Sequence, residues 1–469
     1  MVQPHCRHNQ SRGQDNRLAC RQGPGTLLGH TDRTGQMEDQ AMDWVTGDIF
    51  GMAMPTHPEA LRAAGPEWLT RAFRRIGALA ADNAVARIVR FEDCPRGSTG
   101  RKVLLSLEYE RDDPGLHRDL FVKFSRAFDD PLRDNQRYEM ECEARFAAVS
   151  VAPGFPVEVA ACYFSDFHHE TGTGIMITQC IAYGQGGIEP HYEKCLDWQI
   201  DDQIGHYRAI IAANARLAGA HRAGRLPPAI DTWFGFDIAA AIAADPIRHD
   251  RQKLLNRIAR YADFCRDYPQ LLPANLRDPA FHEALRRDVP RFLEHERTIR
   301  SWLFNRPGSI VFAHWNANID NAWFWSDASG QRHCGFIDWG RVGQMPVAQA
   351  LWGTLSGAEI ALWDAHLDEL IALFASTFEG ECGDRLDPAA IRLEMDMLIG
   401  LLGICWLLDA VALILRTIPN LDEVSSRFDQ PFLDSELARN QLHMLSVFMN
   451  LWQTHELGRS LDRVLAEAG

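Results

Sequence analysis

Two short apolar runs late in the chain, Ile310–Ala313 and Cys334–Ile337, constrain it most, because each leads directly into side chains suited to phosphate or metal chemistry. Runs of this length and composition read as buried β-strands. The first delivers His314, Asn316, Asp320 and Asn321, and the second delivers Asp338. Between them, Ser326-Asp327-Ala328-Ser329-Gly330 reads as the loop of a short hairpin. An asparagine amide oxygen and a carboxylate brought together at two strand ends can share one hard cation such as Mg²⁺. Taken singly, an Asp or Asn after a strand is commonly a turn or capping residue. It is the ordered set that points to a site.

Earlier in the chain, Pro66–Leu79 carries Trp68, Leu69, Phe73, Ile76 and Leu79 at helical spacing, which predicts an amphipathic helix at the start of the folded part. Val85–Phe91 and Val103–Tyr109 read as strands flanking the loop Cys94–Gly100. Its Gly97, Ser98, Thr99 and Gly100 would let backbone N–H groups approach a phosphate, although most turns of this kind are only turns. A third strand, Leu120–Ser125, places Lys123 in an apolar run. A buried lysine needs an anionic partner, and the predicted helix Gln136–Val149 offers Glu139, Glu141 and Glu143. Two further strands, Pro156–Phe164 and Gly174–Ile181, are separated by the polar loop Ser165–Thr173, and an Ala-rich helix follows at Tyr207–His221.

In this order the residues resemble the aminoglycoside phosphotransferase and choline kinase-like superfamily, small-molecule relatives of protein kinases. The catalytic loop there reads H-G-D-x-x-x-x-N, and the metal Asp follows on the next strand, often as I-D-W. His314 matches the His, Asn321 the metal-binding Asn, and Asp338 of Ile337-Asp338-Trp339 the metal Asp, seventeen residues after Asn321. The resemblance implies an α+β, two-lobed protein-kinase-like fold, with a small N-terminal antiparallel sheet lobe and a large, mainly helical C-terminal lobe. Residues 1–40 would be a disordered extension, 41–182 the nucleotide-binding lobe, and 183–469 the helical lobe carrying its catalytic and metal loops at 310–353. The resemblance also implies ATP and Mg²⁺ as cofactors, with Lys123 on the nucleotide phosphates. Glu143 would be its partner, since Cys142–Phe146 resembles an R-E-A-R-F segment, with Glu139 in reserve. Gly97, Ser98, Thr99 and Gly100 would cover the phosphates, and Gln179 and Ile181 of the hinge would hold the adenine through backbone groups. His221, at the end of a segment resembling L-x-x-L-H, reads as structural.

The chain departs from this pattern in places. Asn316 stands where the family has its catalytic Asp, and Trp315 where it has Gly. In the bracing D-P-x-x-D-L-like segment Pro346 is kept, but Met345 and Gln349 occupy the two Asp positions. Three functional readings follow. One is a slow or specialised kinase for a hydroxyl of a small molecule, with Asn316 positioning the acceptor and Asp320 taking the proton. The second is a nucleotide-binding pseudokinase with a regulatory or interaction role. The third is a structural remnant, which leaves Lys123, Asn321 and Asp338 without an explanation.

The chain's 46% hydrophobic and 24% charged residues fit a globular protein long enough, at 469 residues, for two lobes. A net charge of −15 excludes a broadly basic face for nonspecific nucleic-acid binding. The 11 cysteines lack zinc spacing and read as reduced thiols of a cytoplasmic protein. Met397–Leu415 is apolar enough to resemble a membrane span, but the internal Asp409 favours a buried helix and no membrane partner. Residues 1–40 are polar and aperiodic, and Met37 or Met42 is the expected native start. The sequence leaves the acceptor and the oligomeric state open.

Overall fold

The computed structural model describes residues 42–95 and 99–468. The expected disordered extension, and Gly97 and Ser98 of the expected phosphate loop, lie outside these residues. A short hairpin, β1 (Trp44–Thr46) with β2 (Ala53–Pro55), precedes helix α1 (Pro58–Arg75). The helix is kinked at Gly65, ahead of Pro66, so the sequence expectation captured only its second half, and it ends at Arg75 rather than Leu79.

Five antiparallel strands form the N-terminal sheet: β3 (Val85–Asp93), β4 (Arg101–Tyr109), β5 (Asp119–Phe124), β8 (Thr173–Gln179) and β7 (Cys162–His168), in that spatial order. Alternation gives the sheet two faces. Val103, Leu105, Leu107, Val122 and Phe124 join Trp68, Leu69 and Phe73 of α1 in one apolar layer. The other face carries Lys102, Leu104, Phe121 and Lys123. Helix α2 (Arg133–Ser150) connects β5 to a short strand β6 (Glu158–Val159).

The expected single strand Pro156–Phe164 is in fact two. β6 leaves the sheet to pair in parallel with a strand of the C-terminal lobe, whereas β7 continues to His168, through much of the loop predicted at Ser165–Thr173. In the C-terminal lobe, helix α3 (Gln203–Arg222) and the helix Ile360–Cys382 pack in a large apolar core. Two hairpin-like pairs sit on this core: β9 (Ile310–His314) with β12 (Val342–Pro346), and β10 (Ala322–Ser326) with β11 (Arg332–Phe336). Met345 belongs to β12, and the following helix starts at Val347, after Pro346. The apolar segment Met397–Leu415 lies in two helices, Pro388–Trp406 and Ala410–Thr417, bent by 45° at a break containing Asp409. Arg257 pairs with Asp409 there at 2.7 Å. Among the described residues no single helix is long and apolar enough to cross a membrane; the bent pair passes by length and composition alone and is largely buried in the core.

Candidate active site

Lys123 lies on the open face of the N-terminal sheet, 7% exposed, and donates to Glu143 Oε2 of α2 at 2.5 Å. Its ammonium is 3.7 Å from Asp338 Oδ1. Burial works against the charge on Lys123, but the carboxylates of Glu143 and Asp338 outweigh it and hold its pKa above the ordinary lysine value. Burial pushes the Glu143 carboxyl up to about 7, an effect Asp338 adds to and Lys123 opposes. Asp338 is partly desolvated, which raises its carboxyl, but its side chain is half exposed and the Lys123 charge holds it below the usual range.

Glu139, the reserve partner, is engaged elsewhere, by Arg341 at 2.6 Å. One turn beyond Glu143, Phe146 stacks on Trp339 at 3.8 Å and 18°. Glu139, Glu143 and Phe146 recur at helical spacing, so a single face of α2 grips both the sheet and the segment after β11.

The β10–β11 hairpin brings the two candidate metal ligands together. Ala322 is registered with Phe336, and the Ile337 N–H donates to the Asn321 carbonyl at 2.9 Å. Asp338 follows in the left-handed region, φ 59° and ψ 60°, which costs a non-glycine residue about 1 kcal/mol and which Asp tolerates better than most. Asn321 Nδ2 donates inward, to the Asn316 carbonyl at 3.0 Å and to Asn318 Oδ1 at 3.4 Å. Its Oδ1 is therefore the atom left for a ligand. An amide oxygen beside a carboxylate that opens into a cleft is a donor set suited to a hard cation such as Mg²⁺.

His314 is fully buried. Its Nε2–H donates to the Ile337 carbonyl at 3.0 Å and its ring stacks on Trp339 at 4.3 Å. Asn214 of α3 clamps its main chain from both sides, accepting from the His314 N–H at 3.0 Å and donating to its carbonyl at 3.1 Å. Burial pushes its pKa down to about 4, so the ring is neutral, and Nδ1 has no hydrogen-bond partner among the described residues. Although grouped with the catalytic residues from sequence, His314 has the geometry of a brace between two loops.

No protein-family model matches the chain, and no curated protein does. It is similar to several solved small-molecule kinases. A choline/ethanolamine kinase family protein from Mesorhizobium loti is 17% identical over 84% of this chain and 98% of its own, with a TM-score of 0.41. A choline kinase from Cryptosporidium parvum Iowa II is 14% identical over 80% and 92%, with a TM-score of 0.40. An aminoglycoside phosphotransferase from Streptomyces rimosus is 16% identical over 67% and 93%, with a TM-score of 0.31. At these identities and TM-scores they are likenesses only, and the chemistry of the site rests on its own geometry.

Asn316 follows His314 by two residues and is half-buried. Its Oδ1 accepts from Asn318 Nδ2 at 3.3 Å, while Asn318 also donates to the Gly353 carbonyl and Ser356 Oγ. Asp320 is beside the segment after the hinge, where His191 hydrogen-bonds its carbonyl at 3.1 Å. Burial pushes its carboxyl up, against the charge of Lys194. Among the described residues no hydrogen bond joins it to Asn316.

Gly100, ahead of β4, has φ 64°, and a Cβ there would lie 1.9 Å from the Phe124 carbonyl, so it meets β5 at a point only glycine fits. Thr99 and Gly100 border the same cleft as Lys123 and Glu143. At the hinge, Gln179 pairs with Ala161 and closes β8, and the Ile181 carbonyl is taken by Tyr183. The Ile181 N–H has no partner among the described residues.

Sequence reasoning missed Asn214, Arg341 and Lys102. The first two act across the fold with no local signal, whereas a period-two reading of β4 puts Lys102 on the Leu104 face.

Proposed function

We propose that the chain is an ATP-dependent phosphotransferase that uses Mg²⁺ to phosphorylate a hydroxyl of a small molecule. The observation that carries this reading is the convergence of Lys123, Glu143 and Asp338 within 3.7 Å beside Asn321, at the end of the β10–β11 hairpin. Phosphoryl transfer passes through a loose transition state, so positioning and charge neutralisation do most of the work. Lys123 would hold nucleotide phosphates, oriented by Glu143. Asn321 and Asp338 would hold Mg²⁺, which supplies neutralisation of charge on the transferred group. Asn316 would orient the acceptor hydroxyl through Oδ1. An amide cannot carry the proton away, and a missing general base typically costs about 10²–10⁴-fold. Free cysteines throughout the described residues support a reducing, cytoplasmic setting.

A second reading, a nucleotide-binding pseudokinase, is favoured by Asn316 alone, because its Oδ1 already accepts from Asn318. Calorimetric titration of ATP with and without Mg²⁺, on the unmodified protein and on Lys123→Ala and Asp338→Ala, tests both. Binding that needs Mg²⁺ and is lost in both variants supports the nucleotide site. ADP release that depends on a hydroxylated small molecule then selects the phosphotransferase; tight binding without turnover across a broad acceptor panel selects the pseudokinase. No binding to the folded protein would sink both.

A further inference from the structure

Lys102 on β4 stands directly opposite Lys123 on β5, and directly opposed residues of adjacent antiparallel strands project from the same face. Two like charges in that position destabilise a sheet. Lys123 is compensated by Glu143 and Asp338, but among the described residues no carboxylate pairs with Lys102. It is 9% exposed, and among the described residues its ammonium makes no ion pair and one hydrogen bond, to the Gly100 carbonyl at 3.4 Å. Glu143 and Asp338 act on it only as more distant charges, and burial together with the Lys123 charge holds its pKa down to about 8. A buried ammonium without a counterion is a costly arrangement unless an anion completes it.

The face also shows which anion fits. The row crossing the sheet at this level is Lys102, Lys123 and Met176; the next row on the same face is Leu104, Phe121 and Thr178. Rows two residues apart along a strand are about 7 Å apart. Two cations therefore stand one step from a largely apolar strip, beside Gly100. This is the layout for a flat apolar ring with a polyphosphate tail.

We propose that Lys102 is a second phosphate-contacting residue, which with Lys123 clamps the polyphosphate of a nucleoside triphosphate from the sheet side, facing Asn321 and Asp338. The inference rests on the nucleotide reading above and adds a residue to that site. Lys102 would hold the tail by direct charge-assisted hydrogen bonds.

The test is calorimetric titration of the full-length protein with Mg-ATP, adenosine and inorganic triphosphate, compared with Lys102→Met and Lys102→Arg. Lys102→Met should weaken Mg-ATP and triphosphate binding by about tenfold or more, leave adenosine unchanged, and melt no lower than the unmodified protein without nucleotide. Lys102→Arg should stay within about threefold for Mg-ATP. If Lys102→Met fails to fold by circular dichroism, Lys102→Gln takes its place. Mg-ATP affinity unchanged in the variant overturns the role of Lys102 and leaves the nucleotide reading standing. A parallel loss of adenosine binding, or a lower melting temperature, shows a structural lysine and also overturns it. Unmodified protein that binds triphosphate but not ATP sinks the nucleotide reading and keeps the lysine pair as an anion site; binding of neither sinks both.

Discussion

The Ile337 N–H donates to the Asn321 carbonyl at 2.9 Å, and this one backbone hydrogen bond holds the side chains of Asn321 and Asp338 at the same end of a hairpin. The residues are distant neighbours in sequence, but the hairpin register makes them a pair.

Replacing Asp338 with Asn should remove the anionic half of that pair while keeping the backbone, because Asn also tolerates the left-handed conformation found at Asp338. ATP affinity in the presence of Mg²⁺ should fall by about tenfold or more, with a smaller change without Mg²⁺. Equal losses in both conditions, measured by calorimetry, would show that Asp338 acts on Lys123 rather than on a metal.

On the phosphotransferase reading, Asn316→Asp would supply a carboxylate proton acceptor with little change in side-chain size. Turnover with a competent acceptor should rise by about tenfold or more, with little change in nucleotide affinity. Steady-state kinetics showing no gain would count against a site that lacks only its base.

Asp197 is buried, accepts from the Tyr207 hydroxyl at 2.6 Å, and is pushed by burial from 3.8 up to about 8. A folded-state pKa above the unfolded one gives stability that is complete below the lower value and is lost as pH rises to the higher one. Asn cannot ionise yet still accepts from Tyr207. Asp197→Asn should therefore gain stability relative to the unmodified protein between pH 3.8 and about 8 and level off above. Urea unfolding of both proteins across that range would show a flat difference if the carboxyl were ordinary.

Gly100→Ala combines a positive φ with a Cβ 1.9 Å from the Phe124 carbonyl, whereas Gly77→Ala has the positive φ with nothing within 4 Å. The Gly77 variant should lose about 1 kcal/mol of stability, and the Gly100 variant clearly more, about 2–3 kcal/mol. Chemical denaturation that ranks the two equally would mean that the backbone at Gly100 moves off β5 freely.

Much of the site was legible because its signals are local. Lys123 is a charge in an apolar strand, Glu143 sits on the next helix, and Asn321 and Asp338 flank a hairpin loop; the structure joins Lys123 to Glu143 and Asp338, and Asn321 to the residue before Asp338. The less legible parts depend on pairing between distant segments. Nothing in Pro156–Phe164 says that its first part bridges in parallel to Gly335 and Phe336 while the rest joins another sheet. Gly65-Pro66 has the local chemistry of a helix start, so the part of α1 ahead of it was missed. Met345 suits a strand or a helix equally, and its pairing with Val311 decides the matter. Lys102 became conspicuous only when register set it against Lys123.

The face of α2 that carries Glu139, Glu143 and Phe146 has a mechanical consequence. These side chains hold Arg341, Lys123 and Trp339 respectively, and all three ride on one continuous 18-residue helix. A rigid rod cannot release one grip and keep the other two. Any tilt or slide of α2 would therefore act on the strand lysine and on the segment around Asp338 in the same movement.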